Sequence, residues 1–219
     1  LDADGFAVVT GLVAAAEIEP ALEAFEPLIA AGSAGTRRGP ERVSFVRQWL
    51  ETRPLSGLLD GGAEWFPVRV ILFDKSPSAN WGVPWHQDLA IAVERRAEIH
   101  GFGPWSVKQG IVHVHPPAAV LEKMLTVRLS LDDCEADNGA LRILPGSHRE
   151  GRLAPADVER WKRQVEPHVC ASRRGDAVLM KPLVLHSSPP AVNPSRRRVL
   201  HVEFAREPLP SGLKWISPL

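Results

Sequence analysis

From Phe66 onward the 219-residue chain breaks into short runs of alternating apolar and polar residues, each closed by turn formers, and this rhythm restricts it to a β-rich fold. The clearest run is Leu125 to Leu131, with apolar residues at odd positions and Thr126, Arg128 and Ser130 between them. Val68 to Phe73 is a second, closed by Asp74-Lys75-Ser76-Pro77; Leu141 to Leu144, Ala177 to Leu185 and Arg197 to Phe204 follow. Many short strands with few helices predict a sandwich or barrel, best a jelly roll. Helical periodicity is confined to the first third. Ile18, Leu22, Phe25 and Ile29 recur at three- and four-residue spacing, which predicts a helix over Ala15 to Ile29, limited by Pro20 and Pro27. A second, weaker helix is expected at Leu55 to Leu59. Prolines and glycines are scattered rather than clustered, so the reading is one domain over 1–219. Helical support would occupy about 1–65, on the outside of a β core of about 66–206.

Composition narrows the function classes. The 26 basic and 26 acidic side chains cancel, so no global field points to nucleic acid or to an anionic membrane. No apolar run reaches the roughly 20 residues needed to cross a bilayer. The opening Leu1-Asp2-Ala3-Asp4-Gly5 has neither a basic nor an apolar leader region, and cytoplasm is the expectation. Cys134 and Cys170 are too few for a disulfide framework and too far apart for a CxxC motif, and read as free thiols. Nothing in the sequence sets an oligomeric state.

The residues that carry chemistry begin with Trp85-His86-Gln87-Asp88. On a strand, positions i and i+2 point to one face, so His86 and Asp88 can reach one ion. His186 stands 98 residues after Asp88, at the end of an apolar run and before a Ser-Ser-Pro-Pro turn. Two histidines and one carboxylate are the facial set of non-haem Fe(II) oxygenases, which leaves three coordination positions free for a 2-oxo acid and O2. A zinc hydrolase and a cupin-like metal-binding module without turnover are the rival readings of the same three residues.

A second element favours the oxygenase. Eleven residues past His186, Arg197 sits in Ser195-Arg196-Arg197-Arg198-Val199. A guanidinium is a rigid, always-charged fork for the distal carboxylate of 2-oxoglutarate. On a strand, Arg197, Val199, His201 and Glu203 share one face, and Arg196, Arg198, Leu200, Val202 and Phe204 the other. Parity alone leaves the choice of arginine open, and two of the three read as a solvated basic turn.

Longer blocks make the pattern specific. Leu131-Asp132-Asp133 precedes Asp137-Asn138-Gly139-Ala140-Leu141-Arg142-Ile143-Leu144-Pro145-Gly146-Ser147-His148-Arg149, and the chain opens with Gly5-Phe6-Ala7-Val8-Val9. With the HxD, His186-Ser187-Ser188 and Arg197, these resemble the phytanoyl-CoA dioxygenase family, a branch of 2-oxoglutarate oxygenases that includes ectoine hydroxylases and some halogenases. The resemblance implies a double-stranded β-helix of cupin type, Fe(II) bound by His86, Asp88 and His186, and 2-oxoglutarate held by Arg197 with the hydroxyl of Ser188. It places Ile71 and Arg128 in the cosubstrate pocket; the family often has an aromatic residue where Arg128 stands, and an anionic substrate group is the alternative partner for this arginine. Halogenases of the family replace the metal carboxylate, so Asp88 favours hydroxylation of a small molecule, with O2 consumed and succinate and CO2 released. Desaturation, epimerisation or ring closure are the alternative outcomes.

Several residues remain beside this set. Residues 89–117 form an irregular insertion and a candidate lid. His113-Val114-His115 within it reads as a structural or substrate-lining pair rather than a second metal site. His148 is expected to hydrogen-bond within its turn, and His201 to be a satisfied core histidine or a neighbour of Arg197. Trp81, Trp85 and Trp105 are expected near the mouth of an apolar pocket. Asn138-Gly139 reads as a tight turn between strands.

Overall fold

The structure, a computed structural model, describes residues 1–29, 35–52 and 65–216. The helix expected at Leu55 to Leu59 lies outside the described residues. In chain order the elements are β1 (Phe6–Val9), α1 (Ala15–Phe25), β2 (Gly35–Thr36), α2 (Ser44–Thr52), β3 (Phe66–Lys75), β4 (Val83–His86), β5 (Ile91–Val93), β6 (Trp105–Lys108) and β7 (Ile111–Val114). Then come α3 (Ala118–Leu121), β8 (Met124–Ser130), β9 (Leu141–Ile143), α4 (Pro155–Gln164), β10 (His168–Cys170), β11 (Ala177–Met180), β12 (His186–Ser188) and β13 (Arg197–Ala205).

The strands form a jelly roll. A six-stranded antiparallel sheet runs β1-β11-β8-β13-β3-β2, and a four-stranded sheet runs β10-β9-β12-β4. The period-2 pattern of the central strands decides what each face does. On β3 the side chains of Val70 and Leu72, on β8 those of Leu125, Val127 and Leu129, and on β13 those of Leu200, Val202 and Phe204 all join one apolar core. Ile18, Leu22 and Phe25 of α1 and Val46 and Trp49 of α2 close that core from outside. The opposite face of the same strands, carrying Arg69, Ile71, Phe73, Lys75, Arg128, Arg197, Val199, His201 and Glu203, lines a cavity. Both faces of β13 are thus buried, which is why its apolar residues could not mark the inward side.

Four expectations are corrected. The first helix stops at Phe25 and gives way to a 3-10 turn over Glu26–Leu28, because Pro27 cannot continue the α ladder. Pro20 is tolerated inside α1 on its exposed face, opposite Ile18, Ala21 and Leu22. β3 runs on through Asp74 and Lys75, which pair with Arg198 and Arg197, where the sequence suggested a turn. The apolar run Ala177 to Leu185 is not one strand: β11 ends at Met180, and a turn at Pro182–Leu183, closed by Val184 N–H donating to Lys181 O at 3.1 Å, separates it from β12. The 89–117 insertion is also more regular than expected. It folds into a third antiparallel sheet, β5-β7-β6, whose hairpin turns at Gln109 and Gly110 with φ of 50° and 73°. Positive φ at both turn positions is the geometry of a two-residue hairpin, and only Gly110 signalled it in sequence.

Candidate active site

His86 and His186 become neighbours because β4 and β12 are paired antiparallel with these two residues in direct register. Their ring centroids stand 4.2 Å apart. Each ring is fixed through Nδ1, hydrogen-bonded to the carbonyl two residues earlier: Pro84 at 2.9 Å for His86, Val184 at 3.0 Å for His186. When Nδ1 carries the proton, Nε2 is left as a lone pair. Both Nε2 atoms face Asp88, at 3.7 Å from Oδ1 (His86) and 3.7 Å from Oδ2 (His186). The three ligand atoms lie within 4.8 Å of one another, a spacing that suits one ion. Asp88 Oδ2 is buried and has no hydrogen-bond partner among the described residues.

Asp88 reaches this position off the strand, a departure from the expected HxD geometry. β4 ends at His86, and Asp88 is held by its own N–H, which donates to Pro182 O at 2.9 Å. The chain is steered there by Gln87, whose amide turns away from the site. It donates to Gly151 O and Leu183 O, both at 2.7 Å, and accepts from Leu153 N–H. The electrostatics suit a divalent cation. Burial pushes His186 down to about 4, so it is a neutral ligand at physiological pH. Burial alone would raise the Asp88 carboxyl, but His186, His201, His86 and Arg128 outweigh it and hold the carboxyl below its ordinary value.

One cavity of about 550 Å³ contains these residues and extends to both sides of them. At one end Arg197 is buried, its Nη2 donates to Ser188 Oγ at 3.2 Å, and among the described residues it has no carboxylate partner; its Nε is also unpaired. The other two arginines of the triplet are spoken for. Arg196 pairs with Asp74 and Glu26, and Arg198 chelates Asp132 with Nε and Nη2, both at 2.8 Å. The geometry therefore separates Arg197 from its neighbours, although Arg198 is buried rather than solvated as the sequence suggested. Ile71 and Arg128 line the same cavity. Arg128 meets His201 Nδ1 at 3.0 Å and stacks 5.5 Å from the Phe73 ring, and burial with Arg197 lowers it to about 10.

The residue that sequence reading missed is Lys75. Its Nζ donates to Ser188 Oγ at 2.8 Å and lies 5.1 Å from the Trp81 ring. Burial first, then Arg197 and Arg128, push it down to about 8. Its apparent place in a turn after β3 hid it; extending the odd-numbered face Arg69, Ile71, Phe73 by one step finds it. Of the three tryptophans, only Trp81 lines the cavity; Trp105 packs into the core between the third sheet and α3.

The Asn138 to Arg149 block supports this site from behind. Gly139, in a turn at φ 69°, presents its carbonyl to Ser188 Oγ at 2.9 Å, and a Cβ there would meet Pro189 O at 2.7 Å. Asn138 exchanges two hydrogen bonds with Ser195, just before Arg197. Ser147 Oγ donates to Leu144 O and accepts from Leu185 N–H, one residue from His186. The Asn138-Gly139 turn is present as expected, and its larger role is to fix Ser188 and the approach to Arg197. His148 does not bond within its turn; it packs over Gly5 and reaches Asp2 O. His113 and His115 line the cavity without joining the metal set.

The family model for phytanoyl-CoA dioxygenase matches residues 61–199, well over half of the chain. No curated protein sequence matches. Among solved structures, the chain is similar to AviO1 from Streptomyces viridochromogenes, at 23% identity and TM-score 0.63, covering 95% of this chain and 94% of that one. It is similar to the non-haem 2-oxoglutarate-dependent epimerase SnoN of nogalamycin biosynthesis, at 19% identity and TM-score 0.64, covering 93% and 77%. HygX from Streptomyces hygroscopicus, solved with nickel and 2-oxoglutarate, matches at 15% identity and TM-score 0.63, covering 93% and 83%.

Proposed function

The chain belongs to the phytanoyl-CoA dioxygenase family of iron- and 2-oxoglutarate-dependent oxygenases, and from that premise we propose that it hydroxylates a small-molecule substrate at a site built on His86, Asp88 and His186. The observation that carries the site assignment is the convergence of both Nε2 atoms and an unpaired, buried carboxylate oxygen within 4.8 Å. That donor set fits Fe(II), and Arg197, Ser188 and Lys75 at one end of the cavity fit the distal carboxylate of 2-oxoglutarate. Held by these residues, iron and 2-oxoglutarate would supply the O2-dependent oxidising chemistry, in which one oxygen atom goes to the substrate and the other to succinate as CO2 is released.

The protein's own part is positional. Pro84 O and Val184 O hold the imidazole protons, so that both Nε2 atoms stay free for metal. Lys75 and Arg197 converge on Ser188 Oγ and orient the cosubstrate from its far end. Ile71 packs along that path, and Arg128, bracketed by His201 and Phe73, stands between the cosubstrate end and the metal ligands. Among the described residues no helix is long and apolar enough to cross a membrane. The two buried free cysteines fit a reducing compartment such as the cytoplasm. The same reading treats residues 1–219 as one catalytic domain, supported by the core that α1 and α2 share with the six-stranded sheet.

The outcome of oxidation depends on where the substrate is held, and structural relatives include an epimerase and a carbocyclase. Asp88 keeps the full three-ligand set, which favours hydroxylation over halogenation; epimerisation, desaturation and ring closure by the same site are separated from it by product mass. The test is Asp88→Ala. Purified variant and wild type are assayed for iron content, substrate-dependent succinate release and product mass. The variant should lose bound iron and succinate release while keeping its circular dichroism spectrum. Undiminished turnover would remove Asp88 from the site, and a product lighter by two hydrogens would replace hydroxylation with desaturation.

A further inference from the structure

Eight buried side-chain nitrogens and oxygens have no hydrogen-bond partner among the described residues, and five of them belong to residues lining the cavity that holds His86, Asp88 and His186, although Arg37 and Arg69 also border a smaller neighbouring cavity. Buried polar atoms left unpaired cost stability, so a cluster of them marks a place where something else supplies the partner. Asp88 Oδ2 and Arg197 Nε are accounted for by the metal and cosubstrate. The other three, Arg37 Nε, Arg69 Nε and His113 Nε2, are not; Arg37 and His113 both have Arg69 and Glu203 as charged neighbours, so the three belong to one end of the cavity.

The register of β3 and β13 gives that end its position. Lys75 faces Arg197, Ile71 faces His201, and Arg69 faces Glu203, so Arg69 sits six residues, roughly 20 Å of strand, from the cosubstrate lysine. Glu203 neutralises Arg69 through a 2.9 Å pair. Arg37 has no carboxylate partner among the described residues, and its backbone N–H is tied to Gln109 Oε1 of the β6–β7 hairpin. With Lys108 also on the wall, this end carries surplus positive charge. His113 is fully buried and its Nδ1 is hydrogen-bonded to Ile111 O at 2.9 Å. Burial and Arg69 lower it to about 4, so the ring is neutral and Nε2 is an acceptor that requires a donor.

We propose that this end of the cavity is the substrate anchor: it takes an anionic oxygen group, a carboxylate or a phosphate ester, against Arg37 and Arg69, and a hydroxyl or amine of the same molecule against His113 Nε2. Calling the ligand a substrate rests on the oxygenase reading; the binding chemistry does not. The substrate class is therefore a hydroxy or amino acid, or a phosphorylated alcohol, with the bond to be oxidised between this anchor and the metal ligands.

The experiment is a ligand-observed NMR titration of glycolate, acetate, glycerol phosphate and uncharged ethylene glycol into the full chain with excess 2-oxoglutarate. Wild type, Arg37→Gln, His113→Leu and Arg197→Gln are compared, each checked for its thermal transition. Loss of one charge-assisted contact predicts binding of the anionic probes weaker by about tenfold or more in Arg37→Gln. Arg197→Gln should leave that binding within about twofold. The better anionic probe tells carboxylate from phosphate. His113→Leu should abolish the preference for glycolate over acetate, which has no hydroxyl; Arg37→Gln, at a half-exposed residue, keeps the test valid if the His113 variant does not fold. Ethylene glycol binding as well as the anions, unchanged affinity in Arg37→Gln, or loss confined to Arg197→Gln would each overturn the proposal. Failure of the oxygenase reading is registered separately, by absent succinate release.

Discussion

Lys75 makes a quantitative prediction about cosubstrate affinity. The ammonium is buried, has Arg197 and Arg128 as electrostatic neighbours, and titrates at about 8 instead of 10.5. That displacement corresponds to about 3 kcal/mol against the protonated form in the free protein. A 2-oxoglutarate carboxylate arriving at Ser188 favours the ammonium, so binding raises the lysine and takes up a proton. Affinity is therefore full below the free-protein value and falls as pH rises through it. The protonated fraction drops from about 0.9 at pH 7 to about 0.1 at pH 9, so the apparent Kd should weaken about tenfold over that interval, or about 1.4 kcal/mol. The assay is anaerobic titration of the Fe(II)-loaded protein with 2-oxoglutarate, followed by calorimetry at several pH values. Lys75→Met should bind more weakly at pH 7 and lose the slope. It should also be more stable than wild type at pH 7. The folded state holds this lysine low, so between about pH 8 and 10.5 the unfolded chain binds more protons and wild-type stability rises with pH; removing the charge supplies that gain at neutral pH. A flat Kd across this range in wild type, or an undiminished slope in Lys75→Met, would take Lys75 out of the cosubstrate site.

The arginine triplet provides a contrast within three residues. Arg197→Ala should weaken 2-oxoglutarate binding by about tenfold to a hundredfold, the worth of lost charge-assisted hydrogen bonds, whereas Arg196→Ala, whose partners Asp74 and Glu26 do not line the cavity, should change it less than about twofold. Arg198→Ala acts on the fold: it leaves the buried Asp132 carboxylate without its chelating partner and should cost about 3 kcal/mol, read as a lower denaturation midpoint with 2-oxoglutarate affinity of the folded protein unchanged.

The β-rich architecture was legible because it rests on a local rule, the alternation in β8; the candidate set of His86, Asp88 and His186 rested on residue types and on the resemblance of longer blocks to a family, since no local rule joins residues 98 positions apart. What escaped depends on packing between segments distant in sequence. Lys75 looked like a turn residue because Asp74-Lys75-Ser76-Pro77 has turn composition, yet pairing with Arg197 and Arg198 carries β3 through it. Asp88 looked like a strand residue, yet Gln87 anchors the chain to Gly151, Leu183 and Leu153, contacts that no local pattern encodes. The hairpin at Gln109-Gly110 was hidden because its strands are only four residues each and glutamine is a rare occupant of a positive-φ position. His148 was assigned to its own turn because its true neighbour, Gly5, lies more than a hundred residues away.

The division of labour between the two faces of the six-stranded sheet explains how such a polar cavity is sustained. Toward α1 and α2 the sheet presents Val70 and Leu72 of β3, Leu125, Val127 and Leu129 of β8 and Leu200, Val202 and Phe204 of β13, so apolar burial is concentrated there and the charged Asp74 and Arg198 come only at one end of that face. The inward face of the same strands carries Arg69, Lys75, Arg128, Arg197, His201 and Glu203; Arg69 pairs with Glu203 at 2.9 Å, His201 Nε2 stands 3.6 Å from the same carboxylate, and Lys75, Arg128 and Arg197 have no carboxylate partner among the described residues. Because the side-chain period is two, a register slip of one residue on β13 would bring Arg196, Arg198 and Leu200 inward and turn Arg197 toward the helices. The Arg198–Asp132 and Arg196–Asp74 pairs oppose that slip on the outer side, each tying one arginine to a carboxylate beyond the cavity. The flanking arginines thus act as register pins for the one between them, and the unpaired charge of Arg197 is the result of its neighbours' pairing rather than an accident of composition.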